Sequence, residues 1–508
     1  MLAKTESVAL IGADGCLVQV EVHVGTGLPT FRIVGLPTKP VMEAEQRTRA
    51  ALASSKERWP PSRITANLAP GGLRKDGTHF DLAIALGILA ADGRIPADAI
   101  DGWVVVGELA LDGLVRPVRG VLAAAIACSG SKRSGIVCPA SNAPEAAAIE
   151  GIRVVPVSSL RDAIDFFKGK WIPPTVLSAE PPRPATSPCM SEVKGQADAK
   201  WALEIAAAGS HNLLLTGPPG SGKTMLARSL PSILPPISFE ESLEVTRLYS
   251  VAGLLPDRAS LIYERPFRSP HQHVSLAGLM GGGSGLARPG EVSLANHGVL
   301  FLDEISLFRH DVLESLRAPL EEGVVRLARS GGVVTYPARF ALVAASNPCP
   351  CGYAGDERIA CRCSLRQIAA HDSKLSGPLL DRIDMQVFVD PLGKDELLSR
   401  DPSETSESIR TRVEKARAIQ TERYGSTTLT NATVEKRDLD SSLNLSADGR
   451  ACLGNAIQDT LLSGRGVTRV LRVARTIADL EGAQDVTSEH IGQALGLRLQ
   501  GGERCLDQ

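Results

Sequence analysis

Residues 213–227 read Leu-Leu-Leu-Thr-Gly-Pro-Pro-Gly-Ser-Gly-Lys-Thr-Met-Leu-Ala, and the eight residues from Gly217 to Thr224 decide the fold. A short apolar run that stops at a glycine and restarts with helix formers is a strand, a loop and a helix in that order. Within the loop from Gly217 to Gly222, Gly217, Gly220, Ser221 and Gly222 present main-chain N–H groups to a phosphate, and Pro218 and Pro219, which have no N–H, hold the loop's shape. Lys223 neutralises the β and γ oxygens, and Thr224 offers a hydroxyl to Mg²⁺. The N-terminus of the following helix adds the positive end of its dipole. These residues predict a site for a nucleoside triphosphate.

The second half of such a site lies downstream. The apolar run at 299–302 ends in Asp303-Glu304, where Asp303 can hold the Mg²⁺ shell and Glu304 can polarise an attacking water. Without a phosphate loop the same pair would read as the cap of a helix. The next buried run, 340–345, leads to Ser346-Asn347. Asn347 is a candidate sensor of the γ-phosphate, its alternative being a turn residue before Pro348. In Ser376-Gly-Pro-Leu-Leu-Asp-Arg-Ile-Asp384, Arg382 stands between two aspartates, which by itself reads as a local ion pair. Helices at 196–208, 223–230 and 311–322 alternate with strands at 212–216, 299–302 and 340–345. That alternation predicts an α/β unit with a parallel sheet covered on both faces.

A chain of 508 residues holds more than one core, given domains of about 100 to 200 residues. Six prolines between 173 and 188 mark a stiff connector, so the expected divisions are 1–170, the linker 171–190, the nucleotide-binding core 191–391 and a helical lid 392–508. The first part reads as α+β, with a hairpin over 102–114, a helix over 122–128 and strand, helix, strand, helix over 135–169. In the last part Val470, Val473, Ala474 and Ile477 recur at helical spacing. No apolar stretch approaches the ~18 residues that cross a bilayer, and no basic segment precedes a long apolar one at the N-terminus, so a cytoplasmic protein is expected. A net charge of −2 excludes a globally basic nucleic-acid binder but not one whose cations line a cleft or pore.

Of ten cysteines, Cys349, Cys351, Cys361 and Cys363 are clustered. Four thiolates are the ligand set of a closed tetrahedral Zn²⁺ site, and four free thiols in a reduced loop are the alternative. The cluster lies between the sensor strand and Arg382, which suggests a knuckle bracing an interface between subunits.

The assembled order of motifs resembles the AAA+ ATPases, specifically the magnesium-chelatase-like branch that contains the ComM/YifB proteins. The resemblance spans nearly the whole chain. It is carried by Gly217 to Thr224, Arg265-Pro-Phe-Arg-Ser-Pro-His271, Gly281-Gly-Gly283, Pro289-Gly-Glu-Val-Ser-Leu-Ala295, Gly298 to Glu304, Ala344 to Gly352 and Ser376 to Asp384. It implies ATP and Mg²⁺ as cofactors, and it implies that Arg382 is an arginine finger that reaches a neighbouring subunit's γ-phosphate in a homo-oligomeric ring, expected to be a hexamer. Arg465 and Arg469 are the second-sensor candidates, with Arg469 preferred. The sequence departs from the family pattern at Ile305-Ser-Leu-Phe308 and at Ala370-His371, neither of which is expected to touch the site.

Lys75 to Leu86 and Gly107 to Pro117 resemble the proteolytic domain of Lon, implying a ribosomal-protein-S5-domain-2-like fold. The Ser–Lys dyad is missing, because His79 and Leu122 stand at those positions and no lysine occurs from 112 to 131. A noncatalytic scaffold follows. By resemblance the protein is a DNA motor promoting branch migration on single-stranded or branched DNA during recombination or natural transformation. The competing readings are the motor subunit of a magnesium chelatase and an ATP-dependent protein remodeller. Segments 267–290 and 324–339 are read as pore insertions, with Arg268, Arg326 and Arg329 as candidate phosphate contacts.

Overall fold

The computed structural model describes every residue except 132, 177–186, 257–258, 284–286, 330–331, 357, 394–402, 461 and 500–508. Most of the proline-rich connector therefore lies outside the described residues.

The N-terminal strands are β1 (Leu2–Ile11), β2 (Asp14–Gly25), β3 (Thr30–Val34), β4 (Arg63–Ala69), β5 (Trp103–Val105), β6 (Glu108–Leu109), β7 (Val115–Arg116), β8 (Gly135–Pro139) and β9 (Arg153–Val157). Seven of them form one mixed sheet in the order β3-β4-β2-β1-β5-β8-β9. Residues of helices Ala44–Ser54, Asp81–Ala91 and Leu160–Phe167 build one core on this sheet, and those of Val121–Ser129 and Ala143–Ala147 build another. The hairpin expected over 102–114 is displaced. Trp103–Val105 is buried at every position and joins the large sheet parallel to β8, and the hairpin proper pairs β6 with β7. A strand buried on both faces reads as a continuous apolar run, which explains why alternation misplaced it.

His79 and Leu122 both lie inside the protein. His79 Nε2 meets the carbonyl of Val8 at 2.7 Å, and burial pushes its imidazole down to about 4.

The second sheet is built from β10 (Leu213–Thr216), β11 (Phe267–Arg268), β14 (Val299–Leu302), β17 (Ala341–Ser346) and β18 (Met385–Phe388). Small ladders elsewhere pair β12 (Gly281–Gly282) with β13 (Arg288–Pro289) and β15 (Val324–Arg329) with β16 (Gly332–Pro337). The five-stranded order is β11-β14-β17-β10-β18, and every pairing is parallel. Two apolar clusters cover its faces, as a parallel sheet requires.

Two expectations change here. Phe267 and Arg268 are an edge strand of the core sheet rather than part of an insertion. The helix expected over 311–322 is two, His310–Ser315 and Arg317–Glu322. Pro319 lacks an N–H and crowds the carbonyl four residues back, that of Ser315, where the first helix stops.

Beyond β18 the described elements are helices, among them Ser406–Tyr424, Gly464–Glu481 and Ser488–Leu499. Val470, Val473, Ala474 and Ile477 of the second of these are buried against the core. The first sheet meets the second through helix Phe239–Ala252, where Ser250 Oγ donates to Glu145 Oε2 at 2.5 Å and Arg247 pairs with Asp14 at 2.6 Å. Among the described residues no helix is long and apolar enough to cross a membrane.

His79 is neutral in the fold, whereas its ordinary value is 6.5 and its folded value about 4. Between those limits the unfolded chain binds the extra proton, so stability falls as pH is lowered from 6.5 towards 4. Urea midpoints measured across this window should show that slope, and His79→Leu should flatten it.

Candidate active site

Parallel pairing of β10 with β17 aligns Thr216 with Ser346, so the loops that follow both strands emerge at the same end of the sheet. Gly222 closes the first loop with φ of 94°, a left-handed conformation suited to glycine, and caps helix Lys223–Ser229. Lys223 Nζ donates to the carbonyls of Gly217 at 2.7 Å and Pro218 at 2.9 Å, and reaches Asn347 Oδ1 at 3.3 Å. Burial lowers its ammonium to about 8, against the opposing pull of Asp303 and Glu304.

The next strand over, β14, brings up Asp303-Glu304. Thr224 Oγ1 donates to Asp303 Oδ2 at 3.0 Å. A hydroxyl and a carboxylate converging in this way offer the hard oxygen donors that Mg²⁺ takes. Glu304 is exposed and adopts φ 50° and ψ 51°. A non-glycine residue in that region costs on the order of 1 to 3 kcal/mol and persists only where its surroundings hold it. Its N–H donates to Asp303 Oδ1 at 3.1 Å, and Ile305 and Leu302 on either side are fully buried.

The phosphate loop, Asp303, Glu304 and Asn347 thus meet at one place. The arginines do not. Arg382 is 4 % exposed and binds the carbonyl of Arg317 at 3.2 Å and the carboxylate of Glu321. Its ion pair is therefore with Glu321, not with the adjacent aspartates. Asp384 instead holds Arg469, and Arg465 approaches Glu321 at 3.9 Å. This group gathers at the far end of the sheet, where Asn212 Nδ2 donates to the Arg382 carbonyl at 2.9 Å. From Asn212 to Gly217 the strand covers roughly 16 Å at ~3.3 Å per residue, beyond the reach of an arginine side chain.

Several residues invisible as motifs shape the site. Asn212 bonds to the starts of two strands: its Oδ1 accepts from Leu342 N of β17, while its N–H donates to Asp384 and its carbonyl accepts from Met385 N at the start of β18. Gln196 Nε2 ties Ser221 O at 3.2 Å to Asp390 O at 2.6 Å. His371, expected to lie clear of the site, is buried with Nε2 at 3.0 Å from the Asn347 carbonyl. No spacing rule points to any of them, because each acts through contacts to residues distant in the sequence.

Cys349, Cys351, Cys361 and Cys363 come together with all donor atoms within 4.8 Å of one another. Cys349 Sγ lies 3.3 Å from Cys351 Sγ and 3.7 Å from Cys361 Sγ, and the last two are 3.6 Å apart. Four sulfurs at ~2.3 Å from one ion stand about 3.8 Å apart in a regular tetrahedron, so the spacing fits a zinc-sized ion.

Of the candidate phosphate contacts, Arg268 is engaged with Glu291, its Nε and Nη2 donating at 2.6 and 2.8 Å. Exposed Arg326 pairs with Glu322, and Arg329 ends β15.

Residues 189–397 match the family model described as magnesium chelatase, subunit ChlI, and residues 403–498 match that of its C-terminal region. Residues 20–142 match a further model, subunit ChlI of Mg-chelatase. The competence protein ComM of Haemophilus influenzae is 41 % identical over 506 residues, covering 98 % of this chain and 97 % of that protein. The YifB protein of Escherichia coli is 39 % identical, with 96 % of each chain covered. The chain belongs to the ComM/YifB family of magnesium-chelatase-like proteins. The 38 kDa magnesium-chelatase subunit of Rhodobacter capsulatus is a more distant relative, 26 % identical over 61 % of this chain and 86 % of that one. Membership of this AAA+ branch implies an ATPase that uses ATP and Mg²⁺, which the donors at Thr224 and Asp303 fit.

A bound polyanion favours the charged form of Lys223. With a free value of about 8, binding takes up a proton above that pH. Nucleotide affinity should hold steady below pH 8 and fall above it, and Lys223→Arg should remove the fall in a fluorescent-nucleotide titration from about pH 7 to 9.5.

Proposed function

We propose that this protein is a ring-forming, ATP-hydrolysing DNA motor that promotes branch migration when single-stranded DNA is recombined into a duplex. The observation that carries the ring is the separation of Arg382, Arg465 and Arg469 from the phosphate loop of the same chain. Each protomer presents half a catalytic site at one end of its core sheet and cationic groups at the other. A homo-oligomer, which we take to be a hexamer, would join the two halves. The DNA assignment is supported by the near full-length match to a protein named for competence.

In the chemistry proposed, the loop from Gly217 to Thr224 binds the phosphates through main-chain N–H groups, and Lys223 neutralises their outer oxygens. Thr224 and Asp303 would hold Mg²⁺, which when bound supplies positive charge to the departing phosphate. Glu304 accepts the proton of the attacking water, and Asn347 orients that water while remaining bonded to Lys223. Arg382 leaves Glu321 and donates its guanidinium to the adjoining protomer's γ-phosphate, and Arg469 follows from the helical C-terminal part, which we read as a lid.

The N-terminal sheet is proposed to be a noncatalytic Lon-like scaffold. Buried His79 and Leu122 supply neither nucleophile nor base. We place the protein in the cytoplasm and assign the four clustered cysteines to a structural Zn²⁺ ion.

A chelatase motor is the second reading, favoured by the descriptions of the matching family models, including the one on residues 20–142. Coverage weighs the other way, since the chelatase subunit matches 61 % of this chain and the competence protein 98 %.

The test is strand displacement on a three- or four-way DNA junction. Wild type should drive it with ATP, and Glu304→Gln should bind nucleotide while lowering turnover by about 10² to 10⁴ fold. ATP turnover that ignores DNA, with no displacement, would contradict the motor.

A further inference from the structure

The thiol cluster does not stand apart from the nucleotide site. Residues 349–363 run between β17 and helix Leu365–Asp372, and the described ones among them form no strand or helix. A loop of that length needs something other than a backbone ladder to keep its shape. What the loop does have is sulfur: Cys349 Sγ accepts from Ala354 N at 3.3 Å and Cys361 Sγ accepts from Cys363 N at 3.4 Å. Such N–H···S contacts, with sulfurs spaced for one tetrahedral ion, suit thiolates bound to a borderline-soft divalent metal.

The loop and the helix that follows it press on the nucleotide site at separate points. Gly352 has φ of 88°, and a Cβ there would lie 2.6 Å from Cδ and 2.7 Å from Cγ of Pro219 in the phosphate loop. Only a glycine lets the backbone come so close. From helix Leu365–Asp372, His371 closes on the Asn347 carbonyl at 3.0 Å, and the Asn347 side chain meets Lys223. Pro219 and Asn347 belong to the same chain as the cysteines, so the loop packs against its own phosphate loop.

We infer that a zinc-class ion held by Cys349, Cys351, Cys361 and Cys363 makes residues 349–371 a clamp on Pro219 and Asn347, so that nucleotide affinity depends on the metal. This rests on the assignment of the cluster to Zn²⁺ and goes beyond it in giving the ion a task. Zinc removal loosens the loop, frees Pro219 and the Asn347 carbonyl, and leaves the phosphate loop without its backing.

The experiment uses the full chain purified without chelators. Zinc content is measured first, then the affinity for a fluorescent ATP analogue before stripping, after stripping under reducing conditions, and after adding Zn²⁺ back. One zinc per chain is expected, with affinity falling tenfold or more on stripping and returning with Zn²⁺. Hydrogen exchange should rise at 217–224 along with 349–372. Gly352→Ala is the second arm, because it keeps all four ligands: zinc should stay bound while affinity falls about tenfold, equivalent to ~1.4 kcal/mol. Should stripping unfold the chain, as far-UV circular dichroism would reveal, Gly352→Ala decides alone. Zinc present, with unchanged affinity in Gly352→Ala and in the stripped protein, overturns the clamp and leaves the metal site standing. A chain that neither retains nor takes up zinc overturns the metal site and the clamp together.

Discussion

The parallel pairing of β10 between β17 and β18 is the constraint on which the rest depends. It sets the start of the phosphate loop beside Ser346 and so beside Asn347. Through β14 it brings Asp303 within hydrogen-bond distance of Thr224. Asn212 secures the opposite end by bonding to Leu342, Arg382 and Asp384 at once. The same strand therefore carries the nucleotide groups at its C-terminal end and the arginine group at its N-terminal end, and its length keeps them apart.

That separation gives electrostatics a directional role. Lys223 is buried among carbonyls, where the charged amine is disfavoured until an anion arrives. Arg382, also buried, is satisfied by Glu321, and Arg469 by Asp384. A buried arginine without a partner would be strongly destabilising, so these carboxylates keep the arginine end stable in the single chain. In the proposed ring, exchanging Glu321 for a phosphate would give Arg382 one anionic partner in place of another, with Arg465 3.9 Å from the Glu321 carboxylate left behind. Arg382 and Asp384 are two residues apart, and Asp384 pairs with Arg469 of helix Gly464–Glu481, so the C-terminal helices are tied to the Arg382 segment.

Much of this was legible in the sequence, for identifiable reasons. The phosphate loop, the two buried strands and the residues at their ends announce themselves through composition and order, since parallel strands read as unbroken apolar runs. The four cysteines were equally plain, although their target was not. The burial of Arg382 against Glu321, sixty-one residues earlier, follows from tertiary packing that no local pattern encodes. The same holds for His371 and Gln196, whose roles each rest on one backbone carbonyl or a pair of them. Trp103–Val105 failed the alternation test because it is covered on both faces, and the break at Leu316 was marked in advance by Pro319.

The central claim is that catalysis is shared, with the phosphate loop of one protomer completed by Arg382 of the next. It is tested most directly by mixing Lys223→Ala, which keeps the arginine but cannot bind nucleotide, with Arg382→Ala, which binds nucleotide but lacks the arginine. Each alone should be nearly inactive, the second by about 10³ to 10⁵ fold. An equimolar mixture should recover ATPase activity well above the sum of the two, as mixed rings create intact shared sites. Activity of the mixture no higher than the average of its components, with mixed oligomers present, would contradict the account.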